Sequence, residues 1–402
     1  MTSIRKLFFS HVAQTSDFPL AIEVSHAEGS IIYDVNGKDY VDFDSGISVS
    51  AIGHRHPDVI NAIHDQCEKY LHTMVYGEHI QTPQVEFAKM LSDVLNTDKL
   101  TTIYFVNSGS EAVEAAIKLA RKATQRFNII SAHNAYHGST IGCESLRSDL
   151  AFTQHYMPGV PGVHHIHFND FDDLHKINEE TAAVIIEPIQ GEAGIILPKS
   201  GYLQALKNTC AEKGALLILD EIQTGFGRTG DLFAFQDLRV TPDILLMAKA
   251  MGGGMPCGAL MSSQQLLSHF TRNPALGHIT TFGGHPVSIA AAVASLKFLL
   301  KNDIIQSSHP KSLTIYQSLI NHPMVEEIRY KGMFLAVQLK NPSLLSLVVS
   351  KIIQQGVLVD YFLFNGASFR ISPPLTISEQ DLQLGINRII SALDLVNQTS
   401  NP

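Results

Sequence analysis

A chain of 402 residues exceeds one ordinary hydrophobic core, so a large domain with a smaller companion is expected and a single miniature module is excluded. A net charge of −9 with no run of Lys or Arg argues against a nucleic-acid partner, whose phosphates a protein must neutralise. The four cysteines, Cys67, Cys143, Cys210 and Cys257, are widely spaced with no Cys-x-x-Cys pair, which argues against a disulfide framework or a cysteine-built zinc site.

The apolar stretch near the N-terminus, Leu7-Phe8-Phe9, is too short for a signal peptide, and no segment approaches the roughly 20 apolar residues of a membrane span. A soluble, cytoplasmic protein without a membrane partner is expected. Ile31-Ile32-Tyr33-Asp34 and Tyr40-Val41-Asp42-Phe43 flank the turn residues Asn36-Gly37 and predict a hairpin. From about 50 to 285 short apolar runs alternate with amphipathic stretches. The pattern predicts a helix near 57–71, strand 103–106, helix 110–125, strands 128–131 and 183–186, helix 200–213, and strands 215–219 and 244–248. That alternation implies an α/β fold, with a mostly parallel sheet covered by helices. A helix near 286–300 precedes a different texture: a strand over 332–337, a helix over 343–354, a strand pair and a closing helix near 378–395. The expected division is an N-terminal segment, 1–48, joining the small domain; a large ligand-binding domain, 49–290; and a C-terminal small α+β domain, 291–402.

Lys249 ends the apolar run Ile244-Leu245-Leu246-Met247-Ala248 and precedes Gly252-Gly253-Gly254, while an upstream apolar run ends in Asp220-Glu221. Two buried strands would bring an amine and a carboxylate to one sheet edge. An amine in a water-poor place loses its proton more readily and attacks carbonyls, the requirement for a Schiff-base lysine. Asn107-Ser108-Gly109-Ser110-Glu111 follows a strand and opens a helix, which reads either as a phosphate cradle or as an ordinary capped turn. Tyr136-His137-Gly138 lies in a loop, where Tyr136 either stacks on a flat ring, with Gly138 letting that ring approach, or packs as a core aromatic. Asp220 either holds a pyridine nitrogen protonated or caps a turn, and Gln223 stands within reach of a ring hydroxyl. Gly225-Phe226-Gly227-Arg228-Thr229-Gly230 matches a dinucleotide fingerprint, but five residues separate it from the strand and no fitting helix opens on its last glycine. No metal site is expected: His133, His137, His164, His165 and His167 show no helical His-x-x-x-His pair and no adjacent acid at ligand spacing.

These segments, together with Gly46-Ile47, Gly53-His54, Glu187-Pro188-Ile189-Gln190-Gly191-Glu192, Thr281-Phe282-Gly283-Gly284 and Arg370 before Pro373-Pro374, resemble in order the class III pyridoxal-phosphate aminotransferases of fold type I. That group contains the acetylornithine, ornithine and 4-aminobutyrate aminotransferases. The resemblance implies pyridoxal 5′-phosphate as cofactor, bound through Lys249, with Lys249 and Asp220 catalytic. It implies phosphate contacts from Ser108, Gly109 and Ser110, completed by Thr281 of a second subunit in a homodimer. Tyr136 and His137 would lie against the ring, and Gln223 would contact its oxygen. Glu192 and Arg370 would bind substrates, the arginine taking a carboxylate of the 2-oxo acid acceptor and the glutamate neutralising it when an ω-amino donor is present. A structural salt bridge is the other reading of that pair.

Ser139 departs from the family pattern, which places there an arginine that grips a substrate carboxylate; a hydroxyl supplies no charge. Either another arginine, Arg147 or Arg55, does the work, or the donor lacks that carboxylate. The segment Asp360-Tyr361-Phe362-Leu363-Phe364-Asn365 reads either as an altered substrate entrance or as a buried strand. The expected activity is ping-pong transfer from an ω-amino donor to a 2-oxo acid, with an aminomutase on the same scaffold as the alternative.

Overall fold

The computed structural model of the protein describes residues 3–400; Met1 and Thr2 of the N-terminal segment and Asn401 and Pro402 of the expected small domain lie outside the described residues. β1 (Val24–Glu28), β2 (Ile31–Asp34) and β3 (Asp39–Asp42) form an antiparallel meander, and the hairpin expected around Asn36-Gly37 is its second turn.

The central sheet contains β4 (Thr102–Val106), β5 (Asn128–Ala132), β6 (Val163–Ile166), β7 (Thr181–Ile186), β8 (Leu216–Asp220), β9 (Ile244–Met247) and β10 (Gly258–Ser262). Its spatial order is β4-β10-β9-β8-β7-β5-β6. Strands β5 to β9 pair in parallel, whereas β10 is antiparallel to both β9 and β4, so β4 points the same way as the parallel set. Strands β7, β9 and β10 are buried at every position, as strands covered on both faces must be. The helix Gly109–Thr124 packs across β10, β9, β7 and β4 through a small-residue face that includes Ala112, Ala115, Ala116 and Ala120. The helix Pro286–Lys301 lies against Pro57–Cys67 and Thr82–Leu95.

A third sheet, antiparallel, has the order β11 (Val325–Tyr330), β12 (Leu335–Leu339), then β15 (Ser368–Ile371) and β14 (Asp360–Tyr361). Between its strands in sequence, β13 (Val357–Leu358) pairs in parallel with β3 and ties the N-terminal meander to the C-terminal region; β14 and β15 follow it. The strand expected over 332–337 begins later, at Leu335. Gly332 is in a turn at φ +56°, where a Cβ would stand 2.4 Å from the Thr229 carbonyl carbon. The closing helix runs over Glu379–Ser400. Loops after β4, β5, β7, β8 and β9 all emerge at the carboxyl edge of the central sheet, the edge where open α/β sheets bind ligands.

Candidate active site

Ser108, Gly109, Ser110, Tyr136, His137, Asp220, Gln223 and Lys249 line one cavity of about 430 Å³ at that edge. Asp220 is the last residue of β8 and pairs in register with Leu246 of β9, three positions before Lys249. Lys249 occupies a left-handed backbone conformation at φ +46°, strain of the kind that collects at functional sites. Its amine has no hydrogen-bond or ion-pair partner among the described residues. Burial pushes its pKa below the usual lysine value; Glu192 pulls it back up, Arg370 pushes it further down, and Asp220 and Glu187 oppose the shift. A larger neutral fraction is a larger nucleophilic fraction.

Asp220 Oδ2 lies 2.6 Å from His137 Nδ1, and its Oδ1 accepts the Ile222 amide N–H at 3.0 Å. Burial works against a charged His137, but the hydrogen bond and charge of Asp220, with Glu187 behind it, raise its pKa overall. An imidazole whose Nδ1–H donates to the carboxylate follows, with the carboxylate fixed in orientation. His137 Nε2 and Gln223 Nε2 are buried without a partner among the described residues, so the cavity wall carries two unused polar atoms.

Glu187, quoted above only as part of a motif, holds two loops together. Its Oε1 accepts the Tyr136 N–H at 3.2 Å and its Oε2 the Gly191 N–H at 2.8 Å. Burial pushes its pKa up to about 7, against the lowering charge of His137. No spacing rule reaches across 51 residues to reveal such a clamp.

Ser108 caps the helix that begins at Gly109, accepting the Glu111 N–H at 3.2 Å. Glu111 in turn accepts from the Asn107 backbone and side chain, both at 2.8 Å. First-turn amides such as those of Gly109 and Ser110 have no intrahelical acceptor, and the helix dipole favours an anion beside them. Gly138 lines the cavity, and its lack of a side chain also serves Ser110. At φ +122°, a Cβ there would lie 2.2 Å from Ser110 Oγ, so a larger residue would displace that hydroxyl. Thr281 is exposed and outside the cavity lining of its own chain, while its neighbour Thr280 accepts from Asn107 Nδ2 at 3.0 Å.

Glu192 and Arg370 do meet, with Arg370 Nη1 donating to Glu192 Oε1 at 2.6 Å; their side chains are 8% and 1% exposed. The pair has a third member. Arg370 Nη2 donates to Asp360 Oδ2 at 2.7 Å and to the Tyr361 carbonyl at 3.2 Å. The segment after Asp360 is a strand only through Tyr361 and then wraps Glu192. The Leu363 N–H donates to Glu192 Oε2 at 3.2 Å, and the Phe364 N–H to its carbonyl at 3.0 Å. Asp44 is close enough to feel both charges: burial pushes its carboxyl up to about 6, Asp360 adds to that and Arg370 opposes it.

Ser139 is exposed, its Oγ 3.0 Å from the Tyr136 hydroxyl. Of the two arginines offered in its place, Arg55 is exposed and Arg147 is buried beside Tyr136. The glycine fingerprint folds as turns. Arg228 within it is buried and donates to the carbonyls of Met333 at 2.9 Å and Pro373 at 2.6 Å, a structural anchor. Among the histidines, the expectation of no nearby acid fails at His167, whose Nδ1 is 2.8 Å from Asp173 Oδ2, with Asp170 close by. Lys176, 2.7 Å from Asp173, already neutralises that carboxylate and holds its pKa well below the usual range, and the group lies outside the cavity lining.

Residues 12–393 match the family model described as Aminotransferase class-III. The acetylornithine aminotransferase of Methanosarcina acetivorans is 38% identical over 363 residues, 89% of this chain and 88% of its own. That of Mycobacterium tuberculosis is 37% identical over 379 residues, 93% and 92% of the two chains. A solved structure of the ornithine aminotransferase of Toxoplasma gondii superposes with a TM-score of 0.90 at 29% identity, over 99% of this chain and 97% of that one. A second structure of that enzyme, at 30% identity, a TM-score of 0.90 and 99% and 96% coverage, is described with partial occupancy of PLP at its active site. The family match takes in every residue of the cavity, from Val49 to Cys257, and Arg370 beyond it, and the chain belongs to the class-III aminotransferases.

Proposed function

We propose that the protein moves an amino group from an ω-amino donor, of the acetylornithine, ornithine, 4-aminobutyrate or diamine kind, to a 2-oxo acid such as 2-oxoglutarate. The two substrates occupy one site in turn, and the cofactor is pyridoxal 5′-phosphate. The observation that carries the reading is Lys249, an amine whose pKa burial lowers and which shares one cavity with Asp220 at the carboxyl edge of the sheet.

The residues present fit that cofactor. Gly109 and Ser110 offer helix N-terminal amides for a phosphate, with the Ser108 cap beside them, and Tyr136 offers an aromatic face. The unpaired Nε2 atoms of His137 and Gln223 offer hydrogen-bonding groups to polar atoms of a ring. When bound, the group supplies an aldehyde that captures amines and a pyridine ring that draws electrons from the substrate carbon. Asp220, fixed by His137, would hold a positive charge at the ring nitrogen. Lys249 Nζ would anchor the group and, once free, take a proton from the substrate carbon and return it. Arg370 would meet the acceptor carboxylate when Glu192 moves aside, with Asp360 remaining as a counter-charge.

A homodimer in which Thr281 completes the neighbour's phosphate site is part of the proposal. Exposed apolar side chains around the Thr281 loop and in the 71–80 region, among them Phe282 at 53% and Ile80 at 96% exposure, support a buried partner surface there. No described helix is long and apolar enough to cross a membrane, and we place the enzyme in the cytoplasm. Against an aminomutase stands the Glu192–Arg370 pair, because transfer within one molecule needs no alternation between co-substrates. Loss of cofactor colour with ornithine, N-acetylornithine, 4-aminobutyrate, lysine, putrescine and β-alanine tests the donor class. The transferase reading expects turnover only with an added 2-oxo acid; product formed without one would mean the aminomutase.

A further inference from the structure

We infer that Arg147 takes the second carboxylate of a dicarboxylic substrate, in place of an arginine at position 139; the inference rests on the transaminase reading above. Its side chain is 5% exposed and uses one nitrogen for its ion pair: Nη1 donates to the two oxygens of Glu144 at 3.1 and 3.2 Å. Nε and Nη2 are buried with no partner among the described residues. These two N–H groups lie on the same edge of the planar guanidinium and form the fork that a carboxylate accepts with both oxygens. Burying donors of a cation unpaired is costly, and a ligand carboxylate removes that cost.

Position supports the same assignment. The guanidinium carbon lies 4.3 Å from the Phe152 ring centre, 5.2 Å from Phe364 and 5.7 Å from Tyr136. Tyr136 lines the cavity and its hydroxyl meets Ser139, while the Phe364 backbone is bonded to Glu192. Arg147 therefore stands where the cofactor wall and the Glu192 segment converge, one ring from the position where the resemblance expects an arginine. Aromatic faces exclude water and favour the cation without using its N–H groups. The other buried arginines do not compete. Arg370 is held on both terminal nitrogens. Arg228 also leaves Nε and Nη2 without a partner among the described residues, but both carbonyls that hold its Nη1, those of Met333 and Pro373, belong to residues outside the cavity lining, whereas Arg147 stands against Tyr136, which is part of that lining.

The test compares binding of two unreactive probes, glutarate and butyrate, to cofactor-loaded protein by calorimetry, and the kcat/KM ratio of 2-oxoglutarate to pyruvate. Wild type should prefer glutarate. Arg147→Met should lower that preference and the kinetic ratio by about tenfold or more, and Arg147→Lys, which keeps charge but loses the fork, by less. Because Arg147→Met leaves Glu144 buried alone, Glu144→Gln/Arg147→Met provides a second variant free of that charge, with the same loss expected. Wild type that binds both probes alike, or variants that retain the glutarate preference, overturn the assignment. Failure of the wild type to load cofactor on Lys249 would instead strike the transaminase reading itself.

Discussion

His137 and Asp220, 83 residues apart in sequence, share a buried hydrogen bond of 2.6 Å between Nδ1 and Oδ2. The contact exists because β5 and β8 flank β7 and release both side chains at one edge. Its consequence is a carboxylate held in one orientation by a hydrogen bond from behind. Removing the charge should therefore hurt more than removing the orienting ring. Asp220→Asn should lower kcat by about 10²–10³, as loss of a preorganised electrostatic group does. His137→Ala should weaken cofactor affinity by about tenfold or more, consistent with loss of a charged hydrogen bond. Stopped-flow rates and cofactor titration check both, and a His137→Ala protein with unchanged affinity would remove the positioning role.

Asp360 gives a specificity prediction. With two carboxylates on its guanidinium, Arg370 stays half-neutralised even when Glu192 leaves. Asp360→Asn should lower KM for the 2-oxo acid by about five- to tenfold. Steady-state kinetics with varied acceptor decide it, and an unchanged or higher KM would show that Asp360 only braces the hairpin.

Glu187 makes stability depend on pH. Burial raises its pKa from 4.5 to about 7 in the folded protein. Between those values the folded state holds a proton that the unfolded chain has released, so this contribution is full below 4.5 and is lost as pH rises through 7. The loss amounts to about 3 kcal/mol at most. Denaturant unfolding at pH 5, 6, 7 and 8 should show wild type losing stability relative to Glu187→Gln as pH rises; a constant difference would contradict the shift.

Thr281 can be assigned to a subunit by mixing. Lys249→Ala and Thr281→Asp proteins, each inactive alone, should regain about a quarter of wild-type activity when unfolded and reassembled together, because half the dimers are hybrids with one intact site. No recovery would place Thr281 in its own chain's site.

Much of this site is legible in sequence because buried parallel strands end abruptly in polar residues: Asp220 closes β8, Lys249 follows β9, and Ser108 caps the helix after β4. Strand β10 escapes notice because Gly258 follows a run of glycines and Pro256, which reads as turn. The Asp360–Arg370 pairing was accessible in principle. The two are directly opposed across β14 and β15, centred on Asn365-Gly366, a strong hairpin signal that the apolar Phe362-Leu363-Phe364 obscured. The Glu187 clamp and the His137 contact have no local signature, since both arise from strand order across the sheet.

Borohydride reduction of cofactor-saturated protein, followed by peptide mass mapping, tests the central assignment most directly. One reduced cofactor adduct, on the peptide carrying Lys249 and absent from Lys249→Ala, is the predicted result. A protein that takes up the cofactor yet carries the adduct on another lysine, or carries none, would contradict it.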